Sequence, residues 1–340
     1  MRYDFASDNT AGMAPSALQA LIDANSDFAA GYGADEYTRK AAELVCQLLD
    51  VEADVRFVFS GTAANSIALS MLAQPFEAVL AHHTAHVCTD ETGAPGFFGH
   101  GVGLIGLPGY SGKIDEDALA AALEEPVVGH RQPAAALTLT QCTEYGTVYS
   151  EEEMSRLVRM AKAAGLGVHV DGARLANAVA AGFDPHVLGR MGVDIISLGG
   201  AKAGANGVEA LVVLNRSLSR RIDNRIKQAG QTASKGRLLS APMAGLLASG
   251  EWLSGAQHAN AMAQKLADGI EANTPFVLAH PVESNAVFVR MPPEALEAVR
   301  AKGFAAYAFD DGSARFVCSW ATKEAAVDEL IAVLGGLGRV

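Results

Sequence analysis

Short apolar runs alternate with helically patterned stretches through the middle of this chain, from about Gly61 to Asn215. Val55–Phe59, Ala134–Thr140, Gly167–Val170, Ile195–Leu198 and Ala210–Leu214 read as strands, and Val79–Leu80 is weakly strand-like. Thr62–Leu72 and Glu151–Ala164 read as helices. Such alternation predicts an α/β fold, a mainly parallel sheet with helices on both faces. Ligands of such sheets sit at the carboxyl ends of the strands. Ser217–Lys265 reads as mostly helical, interrupted by Gly230, Gly236, Gly245, Gly250 and Gly255. From about Phe276 a second set follows: strand Ala286–Val289, helix Pro293–Lys302, strand Ala314–Val317, helix Lys323–Leu334. That order predicts a smaller C-terminal α+β domain. No internal repeat or low-complexity linker separates the sets, so a large domain over 1–250 and a small one over 251–340 are expected to pack tightly.

Composition narrows the partners. The chain has 340 residues, half of them hydrophobic and 19% charged, which is a globular balance with room for a large core. Its net charge of -12 argues against nucleic acid or anionic membrane as the main partner. A small anion remains compatible, because one or two local arginines suffice to bind it. Cys46, Cys88, Cys142 and Cys318 form no CxxC pair and read as free thiols of a reducing compartment. The opening Met1-Arg2-Tyr3-Asp4 has no apolar core behind it, and no apolar run reaches the ~18–20 residues of a membrane helix. A cytoplasmic location is therefore expected.

Three segments carry chemistry. Ser60-Gly61-Thr62-Ala63-Ala64-Asn65 lies between a strand and a helix. Gly61 lets a ligand approach the backbone, Thr62 adds a hydroxyl, and the helix's first free N–H groups suit a phosphate. The same residues equally suit an ordinary helix cap. Val168-His169-Val170-Asp171-Gly172-Ala173-Arg174 delivers Asp171 at the end of a buried strand, where it can pair with a cation such as a pyridinium nitrogen or cap the next helix. Arg174 lies about one helical turn further on. Ser197-Leu198-Gly199-Gly200-Ala201-Lys202-Ala203-Gly204-Ala205 sets one lysine among small residues. That setting admits a flat ring and lowers the amine's pKa, as imine chemistry requires.

The order of these segments, with Lys202 following Asp171 at a distance, resembles the low-specificity L-threonine aldolases, pyridoxal-phosphate enzymes of the aspartate-aminotransferase-like fold (fold type I). Phe5-Ala6-Ser7-Asp8-Asn9-Thr10 is similar to that family's RSDT segment, and Tyr32-Gly33-Ala34-Asp35-Glu36-Tyr37-Thr38 to its YGxDPT segment. His86 to Glu91 resembles its HxxxxE segment, and Ser313-Ala314-Arg315-Phe316-Val317 falls where the family has a small-domain arginine. The resemblance implies a lyase that cleaves threonine and related β-hydroxy amino acids to glycine and an aldehyde. It implies pyridoxal 5'-phosphate bound by Gly61, Thr62, His86, Asp171, Arg174 and Lys202, with Lys202 forming the imine and His86 stacked on the ring. It implies a substrate carboxylate gripped by Ser7, from the N-terminal segment, with Arg174 and Arg315. No essential metal is implied, and His82, His83 and His86 lack a completing ligand. A homodimer or homotetramer with sites at subunit interfaces is implied, with Lys235 and Arg237 available to a neighbour's phosphate. The chain departs from the pattern at Ala6, at Tyr37 and at Glu144, which replaces a second active-site histidine. Glu144, or His86 through water, is then the expected base. His82, His83, Tyr32 and Phe97 are expected near the side-chain pocket without a fixed cation, which predicts neutral substrates. A β-eliminating lyase or aminotransferase of the same fold is the alternative.

Overall fold

The computed structural model describes residues 1–126, 128–309 and 311–337. The last three residues of the expected C-terminal domain lie outside that description. Seven strands form the main sheet: β1 (Asp54–Val58), β2 (Ala78–His82), β3 (Gly103–Leu107), β4 (Ala134–Thr140), β5 (Gly167–Gly172), β6 (Ile195–Gly199) and β7 (Glu209–Val213). Their order is β1-β7-β6-β5-β4-β2-β3. Only the β1/β7 and β7/β6 pairs are antiparallel; β6 through β3 run parallel.

The sheet is covered on both faces, which is why β2, β6 and β7 are buried at every position. Alternation along the strand divides the burial. In β6 and β7, Ile195, Leu211 and Val213 pack with the Gly61–Leu72 helix, while Ile196, Leu198, Ala210 and Val212 join the core on the other side. Helices Glu36–Leu49, Glu151–Ala163, Leu175–Ala180 and Gly236–Ser249 close that second face. The Glu151–Ala163 helix begins on a capping box between Ser150 and Glu153, legible in its sequence.

A second sheet, all antiparallel, has the order β10-β11-β9-β8, where β8 is Val277–Leu278, β9 Ala286–Arg290, β10 Tyr307–Ala308 and β11 Ala314–Val317. Helices Pro293–Ala301 and Glu324–Leu337 pack on it. The Glu251–Asn273 helix joins the two cores: Trp252 and Ala256 sit in the first, Ala263, Leu266 and Ile270 in the second. Phe5, expected with the large domain, is fully buried in the second core. The N-terminal segment thus crosses from one core to the other just where Ser7 and Asp8 stand. Among the described residues no helix is long and apolar enough to cross a membrane.

Candidate active site

The parallel register brings the motifs to one edge. Thr140 of β4 pairs with Asp171 of β5, and Asp171 with Ser197 of β6. The loops leaving these three strands carry Glu144, Arg174 and Lys202. β1, antiparallel to β7 like β6, ends on the same edge and releases Gly61; β2 ends there and releases His86. Gly61, Asn65, His86, Thr140, Cys142, Glu144, Asp171, Ala173, Arg174 and Lys202 line one small cleft of about 50 Å³.

Lys202 follows a glycine turn that only glycine permits. A Cβ on Gly199 would run into the Ala173 carbonyl, and one on Gly200 would meet Val208 O at 2.6 Å. Burial, together with the Arg174 guanidinium, lowers the Lys202 pKa, so more of the amine is neutral than in water. Asp171 is held at both oxygens: Oδ1 accepts from Ala173 N–H at 3.0 Å and Oδ2 from Asn65 Nδ2 at 2.8 Å. The same Asn65 nitrogen donates to Glu91 Oε1 at 2.9 Å, and Glu91 Oε1 also meets His86 Nδ1 at 2.9 Å. Glu91 is fully covered, whereas 40% of the His86 side chain is exposed, so the ring is anchored through Nδ1 on a buried carboxylate while part of it stays open. The Glu91 hydrogen bond raises the His86 pKa despite burial.

Glu144 Oε1 accepts the His86 backbone N–H at 2.8 Å, while its Oε2 is buried with no hydrogen-bond partner among the described residues. Burial, with Asp171 nearby, pushes the Glu144 carboxyl up to about 7. Cys142, also on the cleft wall, is pushed up to about 12 by burial and stays a thiol.

At the helix start, Ser60 Oγ accepts from Ala63 N–H at 3.2 Å, and a Cβ on Gly61 would meet nothing within 4 Å. The first turn of the Gly61–Leu72 helix therefore opens onto free space. Thr62 stands on that turn but is not among the cleft-lining residues.

Ser7 and Arg315 also lie outside the lining set. Ser7 Oγ caps a short 3-10 turn by accepting from Asn9 N–H at 3.2 Å. Its neighbour Asp8 is the stronger feature. Arg174 donates to it through Nε at 2.6 Å and Nη2 at 2.9 Å, and Asn285 Nδ2 adds a third bond at 3.1 Å. The pair is buried, and the Arg174 guanidinium holds the Asp8 carboxyl below its ordinary range against the opposing effect of burial. Arg315 is partly buried, with Nε unpartnered among the described residues, and burial plus Arg174 lowers its pKa.

Asp8 and Asn65 belong to the sequence motifs, but their roles emerge only in the fold. Asn65 was findable: it lies four residues past Gly61, on the same face of one helix. Asp8 had no comparable signal, because its partner is 166 residues away. The expectation that His82, His83, Tyr32 and Phe97 surround the side-chain pocket is not met, since none of them lines the cleft. His82 and His83 instead bond the carbonyls of Gly109 and Leu107, which ties down the loop after β3. Tyr32 lines another cavity under Lys227, and Phe97 is exposed. Arg237, expected to be available to a neighbour, donates to Ser26 O and Asp27 O of its own chain; Lys235 is exposed. All four cysteines are free.

Comparison with known proteins gives the family and the fold. A family described as "Beta-eliminating lyase" matches residues 4–293. The chain is 44% identical to the low specificity L-threonine aldolase of a Pseudomonas species over 96% of both chains. Its structure is similar to a threonine aldolase of Leishmania major, with a TM-score of 0.93, 32% identity and 99% of each chain covered. An aspartate aminotransferase of Thermus thermophilus shares the fold at 16% identity, with a TM-score of 0.71 over 98% of this chain and 92% of that one.

Proposed function

This chain belongs to the β-eliminating lyase family and, within it, to the low-specificity L-threonine aldolases, and from that premise we propose that it cleaves neutral β-hydroxy amino acids to glycine and an aldehyde. The observation that carries the reading is the convergence of Lys202, Asp171 and Glu144 on one buried cleft.

The residues present fit pyridoxal 5'-phosphate. A buried carboxylate fixed at both oxygens suits a pyridine nitrogen, the open first turn at Gly61 and Thr62 suits a phosphate, and the partly open His86 suits a ring face. When bound, the cofactor supplies an electron sink joined to the substrate's amino group. Lys202, with its lowered pKa, is the amine that holds it. Asp171 would pair with the ring nitrogen and hold its proton, and Asn65 orients Asp171. Arg315 and Arg174 orient the substrate carboxylate, with Ser7 beside them. Arg174 spends Nε and one Nη2 hydrogen on Asp8 and retains its remaining donors for substrate.

Glu144 takes the β-hydroxyl proton as the Cα–Cβ bond breaks. It suits this better than His86, whose bond to Glu91 raises its pKa and so favours the protonated ring. Ionised, Glu144 accepts through the free Oε2; protonated, it cannot act as base. Turnover should therefore rise with pH through about 7. Glu144→Gln should lower kcat about a hundredfold, change KM little, and erase that limb of the profile. Parental turnover and an unchanged profile in Glu144→Gln would return the role to His86.

Glu144 and Asp171 both line the cleft, and this acidic lining disfavours acidic substrates. The test is an aldehyde assay over a panel of β-hydroxy amino acids. Threonine and phenylserine should react and a β-hydroxy diacid should not; silence across the panel contradicts the reading. We take the working unit to be a homodimer or homotetramer, and a fully active monomer in sedimentation would contradict that.

A further inference from the structure

Glu144 stands on a tight turn that is gripped from outside the cleft. Gly146 N–H donates to Thr143 O at 2.9 Å, and Thr143 N–H to Thr147 O at 2.9 Å. Gly146 has φ +77°, and a Cβ there would meet Ala286 Cβ at 3.0 Å and Ser284 Oγ at 3.1 Å. Ser284 Oγ donates to Gly146 O at 2.7 Å. Both contacts come from β9 and the segment before it, in the C-terminal part of the chain.

Tyr145, next in sequence to Glu144, is buried with Ala286, Phe288 and Val317. On its ring lies His280, from the segment between β8 and β9, with centroids 4.0 Å apart and planes at 32°. The His280 ring is fixed at both nitrogens: Nδ1 meets Ser111 Oγ at 2.9 Å and Nε2 meets Asp311 Oδ2 at 2.9 Å. Its side chain is only 10% exposed. Ser111 returns to the same turn, because its carbonyl accepts from Thr143 Oγ1 at 3.1 Å and Thr147 Oγ1 at 2.7 Å. One imidazole thus ties together the loop after β3, the turn that bears Glu144, and the C-terminal sheet. His280 does not line the cleft, so aldol cleavage gives it no direct task.

We propose that His280 is a positioning residue for Glu144: by clamping Tyr145 against the C-terminal sheet it fixes where the Glu144 carboxyl stands in the cleft. The proposal rests on Glu144 being the base. A base loses efficiency steeply when its placement loosens, so the clamp acts on the rate of cleavage and not on substrate binding. An aromatic side chain preserves the stack on Tyr145; a smaller one releases it.

The test is a double-variant cycle on the cofactor-loaded enzyme with threonine, using His280→Ala, Glu144→Gln and the pair. His280→Ala should lower kcat roughly tenfold or more, with KM changed less than about threefold. His280→Phe should recover most of that loss. In the Glu144→Gln background, His280→Ala should cost about twofold or less, because the group it positions is already gone. If Glu144→Gln is impaired and His280→Ala multiplies onto it in full, the positioning role is overturned and Glu144 remains the base. If Glu144→Gln turns over like the parent, the base reading falls and takes this proposal with it. Should His280→Ala fail to fold, His280→Gln serves in the same cycle. It keeps a polar chain between Ser111 and Asp311 but removes the ring from Tyr145, and the same outcomes decide.

Discussion

Lys202→Ala should lose turnover on the order of 10⁴-fold or more while keeping its fold. The expectation follows from three properties of one position. Lys202 sits in the cleft, its amine is driven toward the neutral form by burial and Arg174, and the Gly199-Gly200 turn that presents it admits no other side chain without collision. Among the described residues its amine has no hydrogen-bond or ion-pair partner, so unfolding should not accompany the loss. Reductive trapping of the parent with borohydride should leave the cofactor on the peptide containing Lys202. Label on the peptides of Lys113 or Lys235, or a Lys202→Ala protein with appreciable turnover, would remove Lys202 from its role.

The second large effect is expected at Asp171. Asp171→Ala should cost roughly a thousandfold in kcat, about 4 kcal/mol of transition-state stabilisation, because this carboxylate would hold the proton on the cofactor's ring nitrogen that makes it an electron sink. Asn65→Ala should show part of the same loss. It frees Asp171 Oδ2 and leaves Glu91 with one donor fewer, yet removes no charge. Steady-state kinetics on folded variants measures both. A near-parental Asp171→Ala would mean that the ring nitrogen has another partner.

What the sequence reveals here depends on how local each signal is. β6 and β7 were legible because both faces are buried and their residues run apolar without a break. β3, Gly103-Leu104-Ile105-Gly106-Leu107, was not: it is an edge strand with two glycines and an exposed Ile105. β8 and β10 are two residues each, too short to show a period. Antiparallel β7 was also hidden, since apolar runs carry no direction. The core boundary was blurred because the Glu251–Asn273 helix contributes to both cores, and Phe5 reaches the second from the start of the chain.

The site divides the same way. Lys202, Asp171, Arg174 and Gly61 stand in short motifs with their own turn chemistry, and each falls on the edge that the α/β pattern predicts. Asp8, Asn285 and His280 act through contacts that only the fold creates: Asp8 meets Arg174 across 166 residues and Asn285 across 277, and His280 meets Ser111 across 169. Glu144 was visible as a substitution within a motif. Its burial, its free oxygen and the clamp behind it were not.

The central claim is carbon–carbon cleavage, and product stoichiometry tests it most directly. Purified enzyme loaded with pyridoxal 5'-phosphate is given threonine with no keto acid, and glycine, acetaldehyde, ammonia and 2-ketobutyrate are quantified together. Glycine and acetaldehyde are expected in a one-to-one ratio with no ammonia. Ammonia with 2-ketobutyrate in place of glycine would make this an eliminating enzyme and contradict that claim.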